Sequence, residues 1–200
     1  MKIEDKIQFG KYVWRVLAIE DDRALIITDK IIEQRPYHNK YVDITWADSS
    51  LREYLNTEFY NSFSYNVKDR IIPVVNKNPD NPWFGTLGGR DTEDKVFIPS
   101  LEELACKYFG DSSALLYNPR KNQRYWYERK DKNNSKRIAF DEDKNFWWYW
   151  IRTPGRFSVK AVYVFPDGNI GIHGNNIKKG NVADGFCAGG VRPLMWISLE

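Results

Sequence analysis

The segment NFWWYWIRTPG, residues 145–155, contains three of the chain's eight tryptophans within four consecutive positions. In an extended strand successive side chains alternate between two faces, so Trp148 and Trp150 point one way while Tyr149 and Ile151 point the other. Both faces are then apolar, and each buried tryptophan removes roughly 200 Å² from water. The segment therefore predicts a core strand that is covered on both sides. The alternative is that at least one of these rings lines a ligand surface.

The length and charge of the chain favour a single globular domain over residues 1–200. Of the 200 residues 42% are hydrophobic, which is enough for a substantial core. The 30 basic and 27 acidic residues give a net charge of +3, which is too balanced to require a nucleic-acid or membrane partner. No apolar run reaches the roughly twenty residues of a membrane span. We expect a cytoplasmic protein, or an extracellular domain if it is cut from a longer parent, and its oligomeric state stays open.

Residues 117–144 are polar, charged and without apolar periodicity, which predicts an exposed basic insertion. Residues 119–137 contain eight Lys or Arg and two acidic residues, which gives a local net charge of +6. Cations and rings interleave there, at Arg124, Tyr125, Trp126, Tyr127 and Arg129. Such a composition can stack bases and contact phosphates, so nucleic-acid binding is one alternative and a solvated hairpin is the other.

Capping signals predict two helices. The first covers residues 50–59, where Ser50 and Glu53 have the spacing of a capping box. The second begins at Ser100, because Ser100 and Glu103 repeat that spacing and Gly110 ends the apolar stripe.

Strands are predicted on either side of these helices. A hairpin joins residues 12–19 and 24–28, a short strand follows at 95–98, and a second hairpin turns at PDGN, residues 166–169. A final strand covers residues 190–199. The Gly-, Asn- and Lys-rich segment HGNNIKKGNVADGFCAGG, residues 173–190, is predicted to be a surface loop.

The residues that could support catalysis or metal binding are sparse. Cys106 and Cys187 are 81 positions apart without a Cys-x-x-Cys motif, which favours buried free thiols over a zinc site or a disulfide. The two histidines, His38 and His173, lie on unrelated loops. The acidic loop GGRDTEDK, with its carboxylates at Asp91, Glu93 and Asp94, is a weak calcium candidate and is equally an exposed charged loop.

Two arginines lie beside prolines in the segments RTPG and GVRP. They are Arg152, followed by Pro154 and Gly155, and Arg192, followed by Pro193. A buried guanidinium commonly satisfies loop carbonyls or a carboxylate, so a structural role is favoured and an anion site is the alternative.

Six segments in series resemble domain-of-unknown-function family 6273, a bacterial family common in Firmicutes: QFGKYVWRVLAIEDDRALIIT, TWADSSLREYLNTEFYNSF, NPWFGTLGGRDTEDKVFIPSLEE, WWYWIRTPG, VFPDGNIG and GVRPLMWISL. The resemblance implies an α+β, C-type-lectin-like fold, in which two helices pack beside twisted antiparallel sheets with long loops. Formylglycine-generating enzymes and retroelement-diversified variable proteins share that fold. No settled activity comes with the family.

We therefore predict a non-enzymatic binding module whose C-terminal loops meet a protein or glycan ligand. Most of the candidate binding residues crowd the one Gly-rich segment, and Arg156 joins them from the segment after RTPG: Arg156, His173, Asn175, Asn176, Lys178, Lys179, Asn181 and Asp184. Two alternatives remain open. One is a degenerate or novel redox enzyme of the formylglycine-generating type that uses Cys187, and the other is nucleic-acid binding through the basic insertion.

Overall fold

A computed structural model describes residues 1–117, 131–178 and 188–199. Within these residues the chain forms an α+β arrangement of two five-stranded sheets, one two-stranded sheet and several short helices. None of the described helices is long and apolar enough to cross a membrane.

The first sheet contains the N-terminal hairpin and the last strand. Its order in space is β1 (Lys6–Phe9), β2 (Tyr12–Glu20), β3 (Arg23–Thr28), β12 (Leu194–Ser198) and β5 (Ile71–Ile72). All four pairings are antiparallel. The predicted hairpin is confirmed, with Glu20 opposite Arg23 and a positive φ of 47° at Asp21 in the turn.

The second sheet has the aromatic segment at its centre. Its order is β10 (Ile170–Asn176), β9 (Lys160–Val164), β8 (Tyr149–Pro154), β11 (Gly189–Val191) and β4 (Glu33–Arg35). All six residues of β8 are buried, which confirms that this strand is covered on both faces. Trp148 is also buried, and the indole of Trp150 donates to the carbonyl of Arg35 at 2.9 Å. A separate pair, β6 (Val74–Asn76) and β7 (Thr92–Asp94), forms the third sheet.

The single strand predicted over residues 190–199 is wrong, because the chain changes sheets in the middle of it. β11 ends at Val191 and β12 begins at Leu194, with Arg192 and Pro193 between them. Proline has no backbone N–H and cannot extend a ladder as a donor. The Pro193 carbonyl instead accepts from the Thr28 N–H at 3.0 Å, at the point where β3 leaves the first sheet.

The two predicted helices are present, each with a π-helical turn. Ser50–Tyr54 is α-helical and continues as a π-helix over Leu55–Phe59, while Glu103–Lys107 is the π-helical part of the second helix. The first cap is Ser49 rather than Ser50, since the Ser49 Oγ accepts from the Arg52 N–H at 3.2 Å. Shorter helical segments are Trp46–Asp48, Tyr65–Asp69, Ser113–Leu116 and Asn134–Arg137.

The capping box predicted at the second helix is confirmed. The Ser100 N–H donates to Glu103 Oε2 at 2.9 Å, and the Glu103 N–H donates to Ser100 Oγ at 3.2 Å. Gly110 follows with a φ of 89°.

The strand predicted at 95–98 is displaced toward the N-terminus. The strand observed is Thr92–Asp94, and beyond it Phe97 makes only an isolated bridge to Leu194. The N–H groups of Lys95 and Val96 both donate to Asn56 Oδ1, at 2.8 and 3.2 Å. A helix side chain therefore takes the donors that a longer ladder would need.

The predicted exposure of residues 117–144 is wrong for part of that segment. Residues 118–130, including the alternating cations and rings, lie outside the described residues. Farther along, Asp131, Asn133 and Arg137 are buried. Arg137 folds inward because its Nη2 donates to Asp131 Oδ2 at 2.5 Å and its Nε donates to the Gly168 carbonyl at 3.0 Å.

Candidate functional site

A sharp turn after β8 brings Arg156 against β10. The Gly155 N–H donates to the Lys160 carbonyl, and the Arg156 N–H donates to the His173 carbonyl, both at 2.8 Å. A Cβ on Gly155 would lie 2.5 Å from that His173 oxygen and 2.8 Å from the Gly174 Cα. Only glycine permits this approach, so the sequence Pro154-Gly155 is what places Arg156 over β10.

The loop over residues 81–86 is fixed to the same edge by one buried side chain. Asn81 Nδ2 donates to the carbonyls of Pro154 at 2.8 Å and Ile172 at 3.2 Å. Its Oδ1 accepts from the Trp83 N–H at 2.9 Å. Asn81 thus ties the loop to β8 and β10 together, and it carries Phe84 to within 4.9 Å of His173 between ring centroids.

Arg156, which is exposed, lies within about 6 Å of two aromatic rings. Its guanidinium is 5.8 Å from the Phe84 centroid and 5.4 Å from the Phe157 centroid. It makes no ion pair with any residue in the described part of the chain. Phe157 leaves 55% of its surface in solvent. We call the set Phe84, Arg156, Phe157, His173 and Asn175 the β10 face.

Two polar side chains complete the β10 face. Burial, together with the nearby charges of Arg156 and Lys160, lowers the pKa of His173, so its imidazole is neutral at pH 7. The Asn175 Nδ2 is buried and has no hydrogen-bond partner among the residues that the structure describes. An unpaired buried donor costs free energy, which an acceptor on a ligand or a water molecule would recover.

The structure places part of the predicted binding site together. His173, Asn175 and Asn176 lie in β10 rather than in a loop, so the loop prediction is wrong for them. Asn175 and Asn176 pair with Ala161 and Lys160 of β9, whereas His173 lies in the irregular part of the ladder between Gly171 and Asn175, where Gly174 has a φ of 79°. Lys178 is exposed just beyond β10, and its N–H donates to Asn176 Oδ1 at 2.9 Å. Lys179, Asn181 and Asp184 lie outside the described residues.

Phe84 and Phe157 were not among the predicted binding residues. A phenylalanine directly after Arg156, in the turn PGRF between two strands, was the available signal for Phe157. Phe84 carried no such signal, because it comes from a loop about 70 residues earlier in the sequence.

Arg152 points away from the β10 face and is bound inside the core. Its Nη1 and Nη2 donate to the two carboxylate oxygens of Glu103 at 2.6 and 2.8 Å, and Nη1 also donates to the Ile98 carbonyl at 2.7 Å. Burial acts to raise the pKa of Glu103, but the charge and hydrogen bonds of Arg152 outweigh it and lower that pKa.

The acidic loop holds its carboxylates apart. Asp94 is buried and accepts from Arg52, Trp46, Asn76 and Thr92. Asp91 instead forms a surface ion pair with Lys77. No cluster of three or more metal-ligating side chains occurs among the described residues. Asp94 is therefore already saturated by protein donors.

The thiol of Cys106, the cysteine that lies within the described residues, is a poor nucleophile. Cys106 is a half-buried free cysteine, and burial raises its pKa, which reduces the reactive thiolate at neutral pH. Cys187, on which the redox alternative depends, lies outside the described residues.

A family model described as "Domain of unknown function (DUF6273)" matches residues 21–199. The chain belongs to this family. Neither the curated proteins nor the solved structures include a match. The part that matches this domain of unknown function begins at the turn after β2, so it contains every segment of the β10 face but not the first two strands of the first sheet.

Proposed function

We propose that the chain is a non-enzymatic binding domain that recognises a protein or glycan ligand through the β10 face. The observation that carries the proposal is the exposed guanidinium of Arg156, which has no carboxylate partner among the described residues and lies 5.8 and 5.4 Å from the ring centroids of Phe84 and Phe157. Arginine and aromatic residues are enriched at the energetic centres of protein interfaces.

The rigidity of the β10 face suits recognition. Asn81 and Gly155 fix the two segments that carry Phe84 and Arg156 onto β10, so little backbone entropy would be lost when a ligand binds. Phe157 supplies apolar surface, and the unpaired amide of Asn175 supplies a donor. A rigid scaffold that presents side chains from turns and an edge strand is a common arrangement for binding sites.

The proposal includes the scaffold. We infer that the α+β arrangement is C-type-lectin-like, and two features support this: short helices accompany antiparallel sheets, and the C-terminal strand β12 pairs beside the N-terminal hairpin. In such a fold, long loops and turns form the binding surface while the sheets hold them.

A comparison of variants on a glycan array and on immobilised lysate of the source cells tests the proposal. The double variant Arg156→Ala/Phe157→Ala should reduce binding at least tenfold, since interface aromatic and arginine residues each contribute roughly 1–2 kcal/mol or more. Tyr65→Ala is the control and should bind as the wild type does. It removes a ring that is more exposed than that of Phe157 and lies in the helix Tyr65–Asp69.

Equal binding by the double variant and the wild type would contradict this placement of the site. A glycan signal that requires calcium would also contradict it, because it would move the site to the acidic loop at Asp91.

A further inference from the structure

Three of the arginines that the structure describes are almost completely buried, and they differ in which groups neutralise their charge. Arg137 donates to Asp131 at 2.5 Å, and Arg152 donates to Glu103 at 2.6 Å. Arg192, which is 1% exposed, forms no ion pair with a described residue. Its Nε donates to the Thr28 carbonyl at 3.0 Å, its Nη1 reaches the Tyr149 hydroxyl only at 3.5 Å, and its Nη2 has no hydrogen bond to a described residue.

A buried charge without an ion-pair partner is unfavourable, and the surroundings of Arg192 reflect this. Burial, with a smaller effect of the nearby Arg15 guanidinium, lowers the pKa of Arg192, although the Tyr149 hydroxyl and the Asp29 carboxylate act in the opposite direction. Arginine nonetheless stays charged in proteins, so the positive charge remains in the core. A bound anion would supply the missing partner.

Arg192 lines a cavity of about 590 Å³, a size typical of small-molecule sites. Among the residues that the structure describes, six cationic side chains line this Arg192 cavity: Lys6, Arg15, Lys30, Lys136, Lys144 and Arg192. The two acids in its wall, Glu4 and Asp29, are taken by Arg15 at 3.4 Å and by Lys6 at 2.9 Å. The described part of the lining therefore carries an excess of four positive charges, which favours an anionic ligand.

A second guanidinium shares the wall with Arg192. Arg15 and Arg192 both lie against the ring of Phe109, at 5.4 and 5.9 Å from its centroid. The Nε of Arg15 is buried and has no hydrogen-bond partner among the residues described. Two guanidinium groups with donors to spare match the several oxygen atoms of a carboxylate or phosphate.

The lining of the Arg192 cavity also contains an aromatic pair. Phe140 and Phe146 face each other across a bridge, with ring centroids 4.6 Å apart, and leave 37% and 56% of their surface exposed. Asp141 holds the intervening turn by accepting from the Asn145 N–H at 2.8 Å. The Ile31 N–H donates to the Phe140 carbonyl at 2.8 Å and ties this turn to the segment that follows β3. Two exposed rings in fixed positions provide a surface for a flat apolar group.

We propose that the Arg192 cavity binds a small organic anion, with its carboxylate or phosphate group on Arg192 and Arg15 and its flat apolar body against Phe140 and Phe146. The site uses none of the residues of the β10 face. It therefore goes beyond the proposed function, and the two can fail separately.

Isothermal titration calorimetry on the intact chain tests this with four probes: phenyl phosphate, benzoate, inorganic phosphate and benzyl alcohol. We expect phenyl phosphate, benzoate or both to bind at least roughly tenfold more tightly than inorganic phosphate and benzyl alcohol, because only they combine charge with a ring. Binding of phenyl phosphate alone would identify a phosphate ester, and binding of benzoate alone would identify a carboxylate.

Variants then locate the site. Phe146→Ala and Lys144→Gln are exposed changes that should leave the fold intact and raise the dissociation constant roughly tenfold. Arg192→Lys keeps the charge but removes the planar fork, and it should weaken binding at least as much. Phe157→Ala removes an equally exposed ring, 55% against 56%, from the β10 face and should leave the affinity unchanged.

The proposal is overturned if none of the anions binds, or if Phe146→Ala and Lys144→Gln bind as tightly as the wild type. It is also overturned if inorganic phosphate and phenyl phosphate bind equally, since the rings would then contribute nothing. A single-stranded oligonucleotide that displaces the probes with a steep salt dependence would overturn it in favour of nucleic-acid binding.

Discussion

At the scale of single residues, Asp94 joins several parts of the fold, which the spacing of the acidic residues in its loop did not predict. Its Oδ1 accepts from Arg52 Nε at 2.6 Å, and its Oδ2 accepts from Trp46 Nε1 at 3.0 Å and from Asn76 Nδ2 at 2.9 Å. The Thr92 hydroxyl adds a fourth donor at 2.7 Å. One buried carboxylate thus joins the first helix to both strands of the β6–β7 pair.

Replacing the Asp94 carboxylate should strongly destabilise the fold. Asp94→Asn turns an amide N–H₂ toward groups that are themselves donors, and it leaves Arg52 without its charge partner. We expect a loss of about 3 kcal/mol in the free energy of unfolding, measured by urea denaturation. Asp91→Asn is the matched control, because its ion pair with Lys77 is at the surface and should change stability by less than about 0.5 kcal/mol. Similar losses in the two variants would contradict this role of Asp94.

The pair between Glu103 and Arg152 predicts a dependence of stability on pH. Because the pKa of Glu103 is lowered in the folded chain, its contribution is complete above the unfolded carboxyl pKa, about 4.3, and is lost as the pH falls through the folded value. At pH 7, Glu103→Gln should lower the free energy of unfolding by roughly 3 kcal/mol, since it leaves a buried guanidinium unpaired.

That difference between Glu103→Gln and the wild type should shrink steadily when denaturation is repeated from pH 5 down to pH 3. Glu102→Gln, at the half-exposed neighbouring position that pairs with Lys107 at 3.4 Å, should differ little from the wild type throughout. A gap that stays constant with pH would show that the carboxylate charge is not what Glu103 contributes.

At the scale of elements, the sequence correctly predicted those features that depend on residues close together in the chain. The hairpin turn at residues 20–22 and the capping box of Ser100 and Glu103 involve neighbours in sequence, and both are present. The division of β11 from β12 depends on Thr28, which is 165 positions from Pro193, and no pattern within GVRPLMWISL carries that information. Likewise, β10 continues to Asn176 only because β9 is beside it, although a Gly- and Asn-rich sequence resembles a loop.

The turn between β9 and β10 gives a prediction at the same scale. Gly168 has a φ of 80°, and a Cβ there would lie 1.9 Å from the Asn134 carbonyl oxygen in the helix Asn134–Arg137. Gly85 has a similar φ of 67° but nothing within 4 Å of its Cβ position. Gly85→Ala should therefore cost only the backbone term of about 1–2 kcal/mol, whereas Gly168→Ala should cost clearly more. Equal shifts in melting temperature would mean that the hairpin turn does not pack on this helix as described.

At the scale of the whole molecule, both candidate sites are assembled from segments far apart in sequence. The β10 face combines residue 84 with residues 156–157 and 173–175, and the Arg192 cavity combines residue 15 with residues 140–146 and 192. Composition could therefore identify single members, such as Arg156 and His173, but not their neighbours. The sheets supply the neighbours, because β10 lies in one sheet with β8 and β9, and β12, which follows Arg192, pairs with β3 in the other.

The bounds of the family match give the last prediction. The match begins at residue 21, yet β1 and β2 belong to the first sheet, and Trp14 and Val16 in β2 are completely buried. Burial of the Trp14 ring alone is worth about 5 kcal/mol at 25 cal/mol per Å², a large share of the stability of an ordinary domain. A chain of residues 21–200 should therefore lose its cooperative thermal transition in circular dichroism.

Deletion of residues 1–3 is the control for that truncation. It removes exposed side chains such as Ile3 and leaves the hydrogen bond from the Glu4 N–H to the Val16 carbonyl at 2.8 Å possible, so it should keep the wild-type melting temperature. If residues 21–200 instead unfold cooperatively near the wild-type temperature, then the first two strands are an appendage and the folding unit coincides with the family match. If they do not, the folding unit is larger than the matched region, because β3 needs β2 on one side as much as β12 on the other.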